Sequence, residues 1–386
     1  MKFSHISTKP SCTTMVFMLM TCAAMLTSTT TVTATSPPMT ECGDVQLEGT
    51  INSDVLVKPN SKCILFGATI NGSVYLQDSS KLYVAQSTVV KGNIIASDVK
   101  GDPLIGVVAS TVEGSIHAMG STMTNVALAS STVGGDVILE NTTLKEGLSV
   151  RLLENGSVTK INGELLLDGV TTLVPTHPGS APPSMSLNGA EVVSGITMIG
   201  CNFAGRFDAR ATKVHGNLSV RLTNVGKDQF VLDGLDVAGN IDVGAVNVAG
   251  FMQLSANTVG GAIQVVDTTL AEGRLDVLSN KVLGGGITID KVVAPGSTYQ
   301  RGNIVLSHNS ATQEAIVENC VAQSGLIFTN TFPNLEVLGN TFTDKLFASS
   351  NSIANDLVIL GNTFGSGLPL LTSNTVGGET HLDFAN

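Results

Sequence analysis

The chain has 386 residues, 42% of them hydrophobic and only 13% charged, with a formal net charge of −11. An acidic chain without Lys/Arg clusters lacks the phosphate contacts that nucleic-acid binding needs. No apolar run of about 18 residues follows residue 30, so the body of the chain carries no candidate membrane helix.

The N-terminus differs from the rest. Lys2 and Lys9 flank the start of an apolar stretch, Thr13–Leu26, and small residues follow, with Val32-Thr33-Ala34 suited to cleavage. This pattern predicts a secretory signal peptide over residues 1–34 and a secreted or cell-surface protein. Its removal leaves 18 basic against 31 acidic residues, a net charge of −13. Residues 35–41 close a Thr/Pro-rich segment that reads as flexible, and 42–386 read as one domain.

A short phrase then recurs. It reads Thr69-Ile70-Asn71-Gly72-Ser73-Val74, Thr111-Val112-Glu113-Gly114-Ser115-Ile116 and Thr132-Val133-Gly134-Gly135-Asp136-Val137. Looser copies place turn glycines at Gly92 and Gly156, so the steps are 20, 22, 21 and 21 residues. A fixed period of this size marks a solenoid, in which each repeat buries its apolar face against its neighbours. Each period holds two strand signals, such as Ser73–Leu76 and Lys81–Ala85, with period-two alternation. Glycine at the turn is expected to supply positive φ, and the small polar residue after it to bond freed backbone groups. Four prolines interrupt the pattern at 171–186 and predict an outward loop. The phrase resumes at Gly216, Gly239 and Gly261. Past residue 330 the turn residue becomes asparagine, at Asn340, Asn351, Asn362 and Asn374, predicting stacked Asn side chains in left-handed turns. Phe332, Phe342 and Phe364 predict aromatic stacking in the bore. About 345 residues at 21–22 per coil predict roughly 16 coils.

Cys42 and Cys63 are 21 residues apart, one repeat. Equivalent positions on successive coils stack about 4.8 Å apart, within disulfide reach, so a bridge between them is expected. Cys201 and Cys320 are expected as buried free thiols.

The period, not a multiple of six, and the Gly and Asn turns resemble the right-handed parallel β-helix of pectin-lyase-like proteins. That resemblance implies an all-β fold, a β-solenoid of 21–22 residues per coil. The phrases of many enzymes in that group (Asn-Thr-Asp, paired aspartates, a Gly-His-Gly turn, an Arg-containing lyase site) are absent, so the activity does not carry over with the fold.

No catalytic residue, metal ligand set or cofactor is assigned. Asp208, Asp242 and Asp276 each follow a turn glycine by three residues and are expected on different walls as solvated charges. The five histidines outside the signal segment, His117, His177, His215, His308 and His381, show no zinc-type spacing. The position three after the turn glycine gives Tyr75, Ile95, His117, Ile138, Ser219, Gln264 and Val305. If these stack, the first half of the chain exposes an apolar strip, with Tyr75, Ile95, His117 and Ile138 as candidate binding residues. Sequons at Asn71, Asn141, Asn155 and Asn217 are candidate glycosylation sites, Asn141 foremost. The expected function is structural, adhesive or surface-binding, without catalysis. Its partner would be an extracellular glycan or protein, with self-association through the C-terminal open end as a further expectation. A polysaccharide-binding or polysaccharide-degrading β-helix is the alternative.

Overall fold

The computed structural model describes residues 38–385 except 154–155, 174–183, 227–228, 272 and 297–301. The expected signal segment, Asn155 and the prolines Pro175, Pro178, Pro182 and Pro183 lie outside the described residues. The described chain is all-β, parallel strands stacked as a solenoid of about 14 turns rather than 16. At about 4.8 Å per turn this is a stack roughly 65 Å long.

One coil shows how the sequence makes the shape. Leu335–Leu338 forms a strand on one long wall, here called wall A, and Gly339 then turns the chain at φ 59°. Asn340 points inward, and Thr341–Phe342 forms a short side wall. Leu346–Ser349 forms the opposite long wall, wall B, and Ser350 turns again at φ 56°. Asn351 points inward and Ser352–Ile353 closes the second short side. The two halves of the coil are near copies, which is the origin of the 11-residue spacing. Inward residues such as Val74, Ile94, Ile116, Val137 and Leu165 are fully buried and fill the bore. Burial of this row in every coil is the main favourable term.

The corners correct two expectations. The residue in left-handed conformation is the one before each Asn (Gly339, Ser350, Gly361, Ser373), not the Asn itself. Moreover, 11-residue spacing puts successive Asn at opposite corners, so there are two ladders. Asn340 N–H and Nδ2 donate to Asn362 Oδ1, both at 2.9 Å. At the other corner, Asn257, Asn280, Asn309, Asn330, Asn351 and Asn374 form one continuous chain of such bonds. Each Nδ2 also donates to a bore-lining carbonyl, as Asn330 does to Leu306 at 2.9 Å. Apolar residues such as Val99, Val170, Leu235, Val246 and Val292 fill some other corners, and Ser or Thr donate to bore carbonyls at many of the rest. Cys201 and Cys320 take the same role, with buried thiols 3.5 Å from Leu167 O and 3.1 Å from Glu318 O. Burial pushes these thiols up to about 11 and about 12. Phe342 stacks on Phe364 at 6.0 Å, whereas Phe332 sits on the other short side, above Ile353.

The turn glycines are required by close approach rather than by positive φ. A Cβ on Gly92 would lie 2.7 Å from the carbonyl of Gly72 in the coil below. Gly92 N–H donates to Gly72 O at 3.0 Å, and Gly135 does the same to Gly114 at 2.9 Å. The polar residue after the glycine bonds upward: Asp54 Oδ1 accepts from Ser73 N–H, and Ser73 Oγ from Asn93 N–H. The next glycine in this stack is Gly163, bonded to Gly135 at 3.0 Å, and not Gly156. The wall-B strand Thr143–Arg151 is followed by extra residues before Thr159 regains the corner, so this coil is longer than the repeat.

The Pro-rich excursion is shorter than expected, because Thr171–Thr172 and Ser184–Asn188 are strands. The first strand, Thr40–Cys42, begins inside the segment expected to be flexible. Cys42 and Cys63 are joined, with Cα atoms 5.5 Å apart, but they are not equivalent positions. Cys42 stacks on Val57 and Cys63 on Val45, because the first coil is short. The bridge therefore ties wall A of the first coil to wall B of the second across the bore.

Asn330→Ala removes bonds to Leu306, Asn309 and Asn351, and strands two buried donors on Asn309. It should cost about 3 kcal/mol in guanidinium unfolding. Asn374→Ala, in the less buried last rung, should cost distinctly less, and equal costs would contradict the ladder. Cys42→Ser/Cys63→Ser should lower stability by about 3 kcal/mol and speed amide exchange in the first two coils first.

Candidate binding surface

The outward residues of wall A form one unbroken register. Leu56 stacks on Tyr75, Tyr75 on Ile95, Ile95 on His117, His117 on Ile138 and Ile138 on Leu166. The row continues through Thr197, Ser219, Asp242 and Gln264. All six of the first residues are half-buried. Flat parallel stacking leaves each side chain in contact with those above and below, which suits aliphatic and aromatic residues. The strip is thus a ribbon one residue wide, five intervals or about 24 Å long. His117 is its polar member. Leu56 and Leu166 were not among the expected residues. Leu166 was hidden because counting from Gly156 instead of Gly163 shifts the register. Val305 is misplaced by the same counting rule: it lies on wall B, between Asp276 and Leu326.

Polar rows border the ribbon. Toward the glycine turn stand Asp54, Ser73, Asn93, Ser115 and Asp136, whose side chains accept from the next coil's amides, and Glu164, whose carboxylate accepts from Thr197 Oγ1. Toward the left-handed corner, Met119 is exposed and Glu140 faces Asp168 directly across the register. Further along, Gly244 leaves a gap in this outer row. It opens a groove of about 500 Å³ lined by Ile199, Leu222 and Val266, with the Arg221–Asp242 ion pair at its rim.

The three aspartates singled out in the sequence are arranged differently from expectation. Asp242 is on wall A, but Asp208 and Asp276 share one row of wall B, separated by Val231 and Gln253. That separation of three rungs, about 14 Å, leaves them too far apart to act as a carboxylate pair. Nor are they solvated: Asp208 is 4% exposed and Asp276 5%. Each is held by an arginine two residues away on its own strand. Arg210 Nε donates to Asp208 at 2.7 Å and Arg274 Nε to Asp276 at 2.6 Å. Burial nevertheless raises the Asp276 carboxyl above its ordinary value, with Arg274 opposing it. The Asp208 bond, in turn, raises the Arg210 guanidinium.

The remaining candidates are spread along the surface. His215 Nε2 lies 2.9 Å from Glu191 Oε1, and this bond holds the Glu191 carboxyl below its ordinary value. Among the described residues, no group of three His, Cys, Asp or Glu side chains could hold a metal ion. Asn71 Nδ2 donates to Asn52 Oδ1 at 2.5 Å, and Asn217 Oδ1 accepts from Asn240 N–H at 2.9 Å. Asn141 occupies a left-handed corner, exposed. Among the described residues no helix is long and apolar enough to cross a membrane.

The raised Asp276 carboxyl has a signed consequence. A group whose folded-state value is raised supports folding below its unfolded value, and loses that support as pH rises through the folded one. Asp276→Asn should therefore gain melting temperature relative to the parent as pH rises from 3 to 6. A difference that stays flat with pH would contradict this.

The architecture is that of a parallel β-solenoid. No protein-family model, curated protein or solved structure matches the chain, and no match confirms a relation to pectin-lyase-like proteins.

Proposed function

We propose that this is a secreted or cell-surface β-solenoid that works as a structural or adhesive element, binding extended partners on wall A without chemical turnover. The observation that carries the reading is the ribbon Leu56–Leu166, an apolar row held in register on a flat, hydrogen-bonded wall. Apolar patches with polar borders are typical of contact surfaces, and solenoid walls suit elongated ligands. A rigid wall also loses little conformational freedom on binding. The Thr/Ser-rich chemistry of the turns and the candidate glycan at Asn141 are compatible with an extracellular setting.

The alternative, a polysaccharide-active helix, draws on one arrangement, the carboxylates of Glu140 and Asp168 on adjacent coils. Neighbouring strands lie about 4.8 Å apart, near the carboxylate spacing of a retaining glycosidase. Against it stand the open surface around them and the lack of tryptophan platforms for sugar rings.

The test is retention of the purified chain on immobilised acidic polysaccharides, neutral polysaccharides, and basic and acidic proteins, with soluble product followed in parallel. Retention on at least one class should fall tenfold or more in Ile95→Ser/Ile138→Ser, with unchanged far-UV circular dichroism and no product released. Retention indifferent to that double change would overturn the assignment to wall A. Product release abolished by Glu140→Gln would replace it with the hydrolase reading.

A further inference from the structure

Two adjacent strands of wall A carry the least expected chemistry in the molecule. The outward residues of Val137–Glu140 and its preceding turn are Asp136, Ile138 and Glu140. Those of Glu164–Asp168 are Glu164, Leu166 and Asp168. The register sets Ile138 on Leu166 and Glu140 on Asp168. Two aliphatic side chains are thus framed by four carboxylates. Asp136 and Glu164 are partly occupied, accepting bonds from Glu164 N–H and Thr197 Oγ1. Glu140 and Asp168 are not: among the described residues their carboxylates make no hydrogen bond and no ion pair. Like charges directly opposed on neighbouring strands destabilise a sheet. Other acids of the walls are paired, as Asp208 is with Arg210 and Asp242 with Arg221, and in another opposed pair, Asp290 and Glu318, Asp290 has Lys291 and Asn319 as partners.

Resting on the surface-binding reading above, we propose that the Ile138–Leu166 end of the ribbon docks a basic, amphipathic polypeptide segment. Its apolar side chains lie on the ribbon, and its long Lys or Arg side chains reach over the ribbon's edge to Glu140 and Asp168. Charge complementarity selects this occupant. A neutral glycan has nothing to pair with opposed carboxylates, and an acidic glycan is repelled by them. A metal ion lacks the third ligand. An extended polypeptide also has the reach, because it spans the 24 Å ribbon in about seven residues. The net charge of −11 steers such a partner toward the chain. A bound cation would remove the repulsion that the free wall bears.

The experiment uses the full chain and a fluorescent ten-residue peptide of alternating Lys and Leu, with Gln/Leu and Glu/Leu versions as controls, read by anisotropy at 50 and 300 mM salt. The Lys/Leu peptide should bind at least tenfold more tightly than the Gln/Leu peptide, and should weaken severalfold at the higher salt. Glu140→Gln/Asp168→Gln should abolish both the preference and the salt response while raising the melting temperature, so that loss of binding cannot come from misfolding. Ile138→Ser/Leu166→Ser should weaken every peptide. If binding depends on the ribbon but ignores charge, salt and the Gln variant, the basic partner is overturned and the surface-binding reading stands. If binding ignores the ribbon variants as well, both fall. Preference for an acidic polysaccharide competitor at the same site would also overturn the proposal.

Discussion

Every coil must lay its backbone on the coil below at a fixed strand spacing, and the molecule's other features follow from that constraint. At the glycine turns the approach is so close that a single β-carbon would strike the carbonyl beneath it. Glycine is therefore demanded by the neighbour, not by the local dihedral angle. After most of these glycines the next residue closes the same contact with a side-chain oxygen aimed at the next coil's amide. At the corners the left-handed residue changes direction, and the side chain after it is swallowed by the bore. Where that side chain is polar, it bonds backbone groups which water cannot reach. Asn, Thr, Ser and even Cys do so at equivalent positions by donating to a carbonyl there, whereas Val99, Val170 and Val292 fill the corner with apolar volume alone.

These rules explain which parts of the fold were legible in the sequence. The period, the parallel solenoid and the inward row of Val, Ile and Leu follow from spacing alone. The asparagines were visible too, although their ladders were not, since an 11-residue interval reads as one stack until two half-coils are recognised. Gly156 misled because it lies 21 residues beyond Gly135, while the extra residues after Arg151 move the true turn to Gly163. That single slip removed Leu166 and Asp168 from view and hid the opposed carboxylates. Cys42 and Cys63 were paired for a reason the structure does not share: the 21-residue interval equals a typical coil but not the short first one. The burial of Asp208 and Asp276 had no sequence signature, since an outward position on a strand ordinarily means water.

The two long walls consequently differ in character. Wall B takes Asp208 and Asp276 out of play by pairing each with an arginine on the same strand. Wall A leaves aliphatic rungs and carboxylates uncovered side by side. The opposed carboxylates of wall A cost the fold stability, and the proposed function rests on that contrast. The proposed binding reading draws on the uncovered wall, and the frame of acids narrows the kind of partner it would hold.

The asparagine chain from Asn257 to Asn374 has a consequence of another kind. In every link the donor belongs to the earlier coil and the acceptor to the later one, so all the amide dipoles point the same way. Head-to-tail dipoles in a low-dielectric interior polarise one another and strengthen together. The second half of the solenoid therefore carries an axial polarity of its own, independent of any helix. Its coils do not own their stability separately, because weakening one amide dims the field felt by those on either side.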